Sequence, residues 1–300
     1  MSQTVTAAVI GLGSMGYGIA RSTLNAGIKT HGFDVNAAQE NKFVSDGGAT
    51  GDLSAVCTDI DVAVIVVLNA QQTESVLFGE AGIVPRMKSG SAIMACATVP
   101  PAFARAMASQ AAEYGVHYLD APISGGSVKA AQGRLSIMAS GTADAFAATR
   151  PVLDAIAEVV FELGDAAGAG SAMKAVNQML AGVHIAAMAE AMTFGMTQGV
   201  APETFLEVIS KCAGSSWMLE NRAPHIIAGD YTPHSSVNIW PKDLGIVLDI
   251  AKEARFGAPI TAAALQQYLA AAGQGLGAED DAAVAKVYAR NAGIKLPGDT

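Results

Sequence analysis

The first half of the chain alternates between short apolar runs and amphipathic stretches. Residues 62–68 form a near-continuous run of β-branched and aliphatic side chains, as expected of a parallel strand buried on both faces. Regular strand–helix alternation of this kind predicts a doubly wound parallel α/β sheet. The predicted strands are 4–10, 28–33, 62–68, 91–95 and 116–119, and the predicted helices are 14–26, 36–45, 71–78 and 100–114.

Near Gly164 the strand pattern stops, and the remaining periodicity is helical. The first helix of this half is long and carries an apolar stripe, which predicts the spine of a second domain or an intersubunit element. We therefore predict two domains, with the sheet in residues 1–167 and an all-helical domain in residues 168–300. The predicted helices are 171–198, 202–212, 237–254, 260–272 and 282–291.

Charge and composition narrow the possible partners. The net charge is −9, from 18 basic and 27 acidic residues, and no basic run is present, which argues against nucleic acid and anionic membranes. No apolar run has the length of a membrane-spanning helix, and the N-terminus has no signal-peptide pattern. Three widely spaced cysteines predict free thiols and a cytoplasmic location, and the histidine spacing predicts no metal site.

A glycine-rich turn follows the first predicted strand and opens the first predicted helix. Its GxGxxG pattern is made of Gly11, Leu12, Gly13, Ser14, Met15 and Gly16. Asp34 ends the second predicted strand, close to the spacing of the dinucleotide-binding fingerprint. A carboxylate there would bind the ribose hydroxyls and repel a 2′-phosphate, so we predict NAD as the cofactor. A methyltransferase sheet combines similar features and remains an alternative.

Two further segments have residue types suited to anion or cofactor binding. Ser124, Gly125 and Gly126 follow the last predicted strand of the first half, and successive glycine N–H groups can cradle a carboxylate. A plain turn is the alternative for this loop. Lys242 follows Pro241 near the start of the predicted helix 237–254, beside Asp243, and it either reaches the cofactor or lies in solvent.

Lys174 is the candidate acid/base. It follows the break at residues 168–170 and a predicted N-cap, Ser171, which would place it in the first turn of the long helix. The partial positive charge of the helix N-terminus and the apolar neighbours would favour a lysine able to exchange a proton near neutral pH. Asn177 lies three residues further on, on the same helix face. An ordinary lysine at a helix end is the alternative.

Four segments occur in one order along the chain: GLGSMG at 11–16, DAPISGG at 120–126, GSAMKAVNQ at 170–178 and WPKDLGIVLD at 240–249. Together they resemble the β-hydroxyacid dehydrogenase family, which includes 3-hydroxyisobutyrate dehydrogenase and tartronate semialdehyde reductase. The resemblance extends over nearly the whole chain. It implies an NAD(P)-binding Rossmann domain joined through a long helix to an all-helical domain, usually in dimers or tetramers.

The resemblance also implies roles for individual residues. Lys174 would be the general acid/base, and Asn177 would position the reacting hydroxyl. The 124–126 loop would bind the carboxylate of a small hydroxy acid, and Lys242 would lie at the cofactor. The contacts implied with the nicotinamide half of the cofactor are Leu68, Asn69 and Thr98.

Three segments, 180–187, 216–222 and 230–237, are similar to the branch of the family that acts on four-carbon sugar acids. That branch often has a histidine in place of Asn177 and Phe-Val in place of Trp240-Pro241. The substrates 3-hydroxyisobutyrate and tartronate semialdehyde therefore stay open as alternatives. An NAD-binding sensor without turnover is an alternative of a different class.

Overall fold

The computed structural model describes residues 5–299, and residue 4 of the first predicted strand lies outside them. The chain divides into two compact units, one extending to Lys174 and the other starting at Ala175. The division falls inside a long helix whose first turns pack on the first unit, as the hydrogen bonds described below show.

A five-stranded parallel sheet is the centre of the first unit. Its strands are β1 (Thr6–Ile10), β2 (Lys29–Phe33), β3 (Val62–Ile65), β4 (Ala92–Ala95) and β5 (His117–Asp120). Their order is β2-β1-β3-β4-β5, and every neighbouring pair is parallel. The predicted sheet is confirmed. The order reverses between β1 and β3, where the crevice at the carboxyl ends of such sheets holds ligands.

Helices connect the strands of this unit. They are α1 (Gly16–Asn25), α2 (Ala37–Ser45), α3 (Leu53–Val56), α4 (Ala70–Phe78), α5 (Pro101–Ala112), α6 (Gly126–Ala131) and α7 (Ala143–Ile156), with short 3₁₀ turns at Cys57–Asp59 and Val84–Arg86. Alternate residues of β1 belong to different cores, Ala7 and Val9 to one and Ala8 and Ile10 to the other. Burial on both faces explains the continuous apolar runs in the sequence.

A second, three-stranded sheet completes the first unit, and the sequence pattern did not predict it. Its strands are β6 (Ile123–Ser124), β7 (Leu135–Ala139) and β8 (Ala157–Glu162), in that order. The pair β6–β7 is antiparallel and the pair β7–β8 is parallel. The sheet anchors β6, which leads directly into the glycine loop at 125–126.

The second unit is helical, as predicted. A long helix, α8 (Ala169–Thr197), leads into it, followed by α9 (Pro202–Ile209), α10 (Trp217–Ala228), α11 (Ile239–Glu253), α12 (Pro259–Ala271) and α13 (Ala285–Ala292), with short helical segments at Ala272–Leu276 and Asp281–Val284. Helix α10 was not predicted. Within the core of the second unit, Trp240 stacks on Tyr268 with ring centroids 5.5 Å apart. The Tyr268 hydroxyl donates to the Gly182 carbonyl at 2.8 Å.

Two fully buried carboxylates hold the C-terminal segment of this unit. Asp281 accepts from Arg222 Nε at 2.5 Å and from Trp240 Nε1 at 3.0 Å. Asp280 caps the following 3₁₀ turn by accepting from Ala282 N at 3.1 Å. Burial raises the pKa of Asp281, and the Arg222 guanidinium opposes that rise. Both residues therefore have structural partners that account for their burial.

Helix α8 is the one helix among the described residues that is long and apolar enough to cross a membrane by length and composition. Core helices of soluble proteins meet the same criterion. Its buried polar side chains are hydrogen-bonded within the protein, Lys174 to a backbone carbonyl and Gln178 to a carboxylate. These contacts leave neither of the two buried polar groups unsatisfied.

Candidate active site

The glycine loop connects β1 to α1, and two of its glycines are required by close packing. Gly11 has φ +96°, and a Cβ there would lie 2.3 Å from the Val66 carbonyl oxygen. A Cβ on Gly16 would lie 1.8 Å from the Gly11 carbonyl oxygen. A Cβ on Gly13 would meet no atom within 4 Å. The loop is therefore tight against Val66, the residue after β3, but open above Gly13, which suits the approach of a pyrophosphate to its backbone.

Asp34 follows β2 and is fixed against this loop. Its Oδ2 accepts a hydrogen bond from Leu12 N at 2.6 Å, and its Oδ1 accepts one from Asn36 N at 2.8 Å. Ser14 and Met15 are the last two residues before α1. Ser14 is exposed and Met15 is half-buried. The structure thus brings Asp34 and the glycine loop together, as the spacing predicted.

Three other predicted cofactor contacts follow β3 and β4. The Leu68 side chain is 63% exposed, and its backbone N–H donates to Gln72 Oε1 at 2.9 Å. Asn69 caps α4 through a bond from Gln72 N to its Oδ1 at 2.8 Å. Thr98 lies half-buried beyond the end of β4. All three are at the carboxyl ends of parallel strands, where such sheets bind ligands.

The 124–126 loop has the backbone that successive glycines allow. Ser124 ends β6, and Gly125 and Gly126 have φ values of +136° and +74°. L-amino acids with a side chain rarely adopt these angles. The loop is partly open, because Ser124 and Gly125 are half-buried and Gly126 is exposed.

Lys174 is 8% exposed, and its Nζ donates to the Ile123 carbonyl at 2.9 Å. This contact sets the amine beside the residue that precedes Ser124. The prediction that Ser171 caps the helix is wrong, because α8 starts at Ala169 and Lys174 is in the second turn. The actual cap is the carboxylate of Asp120, which accepts from Gly168 N at 2.9 Å and Ser171 N at 2.8 Å. An anion there offsets the partial positive charge on which the prediction relied.

In the second unit, one chain of polar contacts connects Asn177 to Lys242. Asn177 Nδ2 donates to Gln178 Oε1 at 2.9 Å, and Gln178 Nε2 donates to Asp243 Oδ2 at 2.5 Å. Lys242 Nζ lies 2.6 Å from Asp243 Oδ1. Because an ionised carboxylate only accepts, it determines the orientation of both amides. Lys242 thus forms an ion pair with the carboxylate that follows it in the chain.

Sequence reasoning missed Asp120 and Gln178. Both lie within the quoted segments, and both are polar residues at positions that proved to be buried, 1% and 7% exposed. The bonds that connect them to the start of α8 and to α11 span 48 to 65 residues of the chain, so spacing gave no signal. Among residues 5–299, no cluster of three or more His, Cys, Asp or Glu side chains could hold a metal ion.

The sheet, glycine loop and adjoining carboxylate define a dinucleotide-binding oxidoreductase with a helical second domain. Family models extend this to most of the chain. The NAD binding domain of 6-phosphogluconate dehydrogenase matches residues 6–164, and the NAD-binding domain of NADP-dependent 3-hydroxyisobutyrate dehydrogenase matches residues 168–288.

Full-length relatives agree with these matches. The chain is 49% identical to an L-threonate dehydrogenase of Cupriavidus necator, over 97% of each chain. It is 43% identical to an L-threonate dehydrogenase of Escherichia coli K12, over 97% of this chain and 96% of the relative. A crystal structure of 3-hydroxyisobutyrate dehydrogenase from Salmonella typhimurium is 44% identical, with TM-score 0.89 over 94% of this chain and 99% of that one.

The chain belongs to the 3-hydroxyisobutyrate dehydrogenase family of β-hydroxyacid dehydrogenases. It is an NAD(P)-dependent hydroxyacid dehydrogenase that acts on a CH–OH group. The resemblance noted in the sequence is confirmed, and the methyltransferase alternative is set aside.

Proposed function

We propose that the enzyme oxidises L-threonate at C2 to the 2-oxo acid. The observation that carries the proposed chemistry is the buried Lys174 amine, held at 2.9 Å by the carbonyl of Ile123, directly before the 124–126 loop. The two L-threonate dehydrogenases, at 49% and 43% identity over nearly full length, support this substrate. The Salmonella structure favours 3-hydroxyisobutyrate as the second candidate, and tartronate semialdehyde remains a third.

In the proposed mechanism, Ser124 and the backbone N–H groups of Gly125 and Gly126 bind the substrate carboxylate. Asn177, whose amide is oriented through Gln178, holds the reacting hydroxyl. Neutral Lys174 accepts the hydroxyl proton during oxidation, and its ammonium returns a proton during reduction. The Ile123 carbonyl keeps Nζ in place throughout.

NAD is the proposed cofactor, and it supplies the hydride acceptor at the nicotinamide ring when bound. The fit rests on the open space above Gly13 and on Asp34, whose carboxylate is held by two backbone N–H groups. Residues 35–38 contain no lysine or arginine that could bind a 2′-phosphate. We propose further cofactor contacts by Leu12, Ser14, Met15, Leu68, Asn69, Thr98 and Lys242.

The proposal also covers the domain boundary, the cellular location and the oligomeric state. We place the boundary between the cofactor domain and the helical domain at 167/168, supported by family matches that end at 164 and begin at 168. We propose a cytoplasmic homodimer or homotetramer whose substrate is a small hydroxy acid. The low charged content, 15%, supports a large buried interface between subunits.

An activity panel with NAD⁺ tests the proposal by NADH absorbance. The panel contains L-threonate, D-threonate, erythronates, glycerate, 3-hydroxyisobutyrate and 3-hydroxypropionate. L-Threonate should give the highest kcat/KM. Lys174→Ala should lower kcat by ~10²–10⁴-fold, because the acid/base is lost, while NADH binding persists. Lys211→Ala, at an exposed lysine of the second unit, should keep full activity. Wild-type turnover by Lys174→Ala, or a sensor-like lack of activity on all acids, would contradict the proposal.

A further inference from the structure

Asp120 is a buried carboxylate to which the proposed mechanism gives no role. It ends β5 and is 1% exposed. Besides the N–H groups of Gly168 and Ser171, it accepts the Ser171 hydroxyl on Oδ1 at 2.7 Å. Ser140 Oγ lies 3.3 Å from its Oδ2 and accepts from Gly170 N at 3.0 Å. Together Asp120 and Ser140 accept the N–H groups of Gly168, Gly170 and Ser171, at the helix end where such donors lack intrahelical partners.

This cap differs from an ordinary one because it comes from far away in the chain. A usual N-cap is the residue just before the helix, and it adjusts with the helix. Here the cap belongs to a strand of the central sheet, 48 to 51 residues earlier. A Cβ on Gly170 would lie 2.4 Å from the Met138 carbonyl oxygen and 2.7 Å from that of Asp120. The first turn of α8 is therefore packed rigidly against β5 and β7.

Burial and hydrogen bonding shift the pKa of the Asp120 carboxyl group in opposite directions. Burial raises the pKa of Asp120, and hydrogen bonds from Ser171, Gly168 and Ser140 oppose that rise. The partial positive charge of the helix N-terminus also favours the ionised form of the Asp120 carboxyl group.

The segment that starts at Asp120 contacts α8 a second time. Three residues later, the Ile123 carbonyl accepts from Lys174 Nζ, and Ser124 follows at once. From Ser171 to Lys174 the helix rises by about 4.5 Å, nearly one turn. One short segment therefore touches both the start of the helix and the amine one turn further on.

We propose that Asp120 is a positioning residue for catalysis. By anchoring the start of α8 to β5, it fixes the place of the Lys174 amine relative to the 124–126 loop. The inference rests on the proposed roles of Lys174 and of that loop in hydroxy-acid oxidation. It predicts that losing the anchor impairs the chemical step more than the binding of either ligand.

Asp120→Asn in the full-length enzyme tests this inference. The amide keeps the size of the side chain but replaces one acceptor oxygen by a donor, facing N–H and O–H groups. With L-threonate and NAD⁺, kcat should fall by about 10- to 100-fold, as a small misplacement of a catalytic group does. The KM for L-threonate and the Kd for NADH should change less than about threefold, because the groups that bind the substrate and the cofactor are unchanged. Fluorescence titration measures the Kd.

Thr142→Ala is the matched control for lost capping. Thr142 caps α7 in the same unit by accepting from Ala145 N at 3.2 Å. Its loss should lower Tm while leaving kcat unchanged. The kcat of each variant is normalised to the NADH-binding fraction, so partial unfolding does not count as a loss of chemistry.

If Asp120→Asn does not fold, Ser140→Ala combined with Ser171→Ala removes two hydroxyls of the same cap and should lower kcat at least threefold. Wild-type kcat in whichever variant folds, or equal losses in kcat and in both binding constants, would overturn the positioning role. The proposed function is judged separately. It fails if the wild type oxidises none of the acids or if Lys174→Ala keeps wild-type turnover. An inactive Lys174→Ala beside a fully active Asp120→Asn would reject the positioning role alone.

Discussion

At the scale of single residues, the cofactor half of the site depends on backbone geometry and on one fixed charge. Gly11 and Gly16 are required by contacts of 2.3 Å and 1.8 Å that any Cβ would make. Asp34 is different, because the proposed role belongs to its side chain, which backbone N–H groups of Leu12 and Asn36 hold in place. Its negative charge is therefore the feature that should select between the two dinucleotides.

Asp34→Ala should reduce the preference for NAD⁺ over NADP⁺. On the proposed role of Asp34, the variant loses hydrogen bonds to the ribose hydroxyls and the repulsion of a 2′-phosphate. We expect kcat/KM for NAD⁺ to fall about tenfold or more, as losing charged hydrogen bonds does, while the value for NADP⁺ stays level or rises. Steady-state kinetics with both cofactors give the ratio.

Asp59→Ala removes an exposed carboxylate from the same unit and serves as the control, with no expected change in the ratio. An unchanged ratio in Asp34→Ala would count against cofactor selection by Asp34.

At the scale of elements, the helices of the second unit are placed by close approach. A Cβ on Gly182 of α8 would lie 2.9 Å from side-chain atoms of both Trp240 and Leu244 on α11. A Cβ on Gly245, also on α11, would meet nothing within 4 Å. Both glycines have helical backbone conformation, but only Gly182 lies against side chains of another helix. Substitutions at the two positions therefore distinguish the effect of helix propensity from that of packing.

Replacing each glycine by alanine should therefore have opposite effects. Gly245→Ala should raise the free energy of unfolding by about 0.5–1 kcal/mol, the propensity gain of alanine in a helix. Gly182→Ala should lower it by about 1–3 kcal/mol, the usual result of overpacking a core. Urea unfolding monitored by circular dichroism measures both. Equal shifts in the two variants would show that the close approach at Gly182 does not limit stability.

Elements that the sequence did not predict have identifiable reasons. Strand β8 follows α7 with no glycine or proline between them, and its side chains are mostly exposed, so it lacks the apolar pattern of a buried strand. Helix α10 contains Pro224, which local rules treat as a helix breaker. It forms because Leu219, Ala223 and Ile226 are buried in the core of the second unit. Tertiary packing decided both elements.

At the scale of the whole molecule, the family assignment predicts that a dinucleotide stabilises the fold. NAD⁺ at about 100 times its Kd should add about 2.7 kcal/mol to the free energy of unfolding and raise Tm accordingly. S-Adenosylmethionine at the same concentration should leave Tm unchanged. Thermal denaturation with each ligand gives the comparison, with ATP as a control for weak nucleotide binding. Stabilisation by S-adenosylmethionine alone would contradict the dinucleotide assignment.

The sequence by itself determined the parallel sheet, the helical second unit and the family. These follow from the period of apolar residues and from short motifs whose parts are close in the chain. Only the tertiary structure decided the three-stranded sheet, the capping of α8 by Asp120 and the orientation of Asn177 through Gln178 and Asp243. The bonds from Ser171 N to Asp120 and from Gln178 to Asp243 join residues 51 and 65 positions apart. Their partners become neighbours only when strands and helices pack, so no local pattern records them.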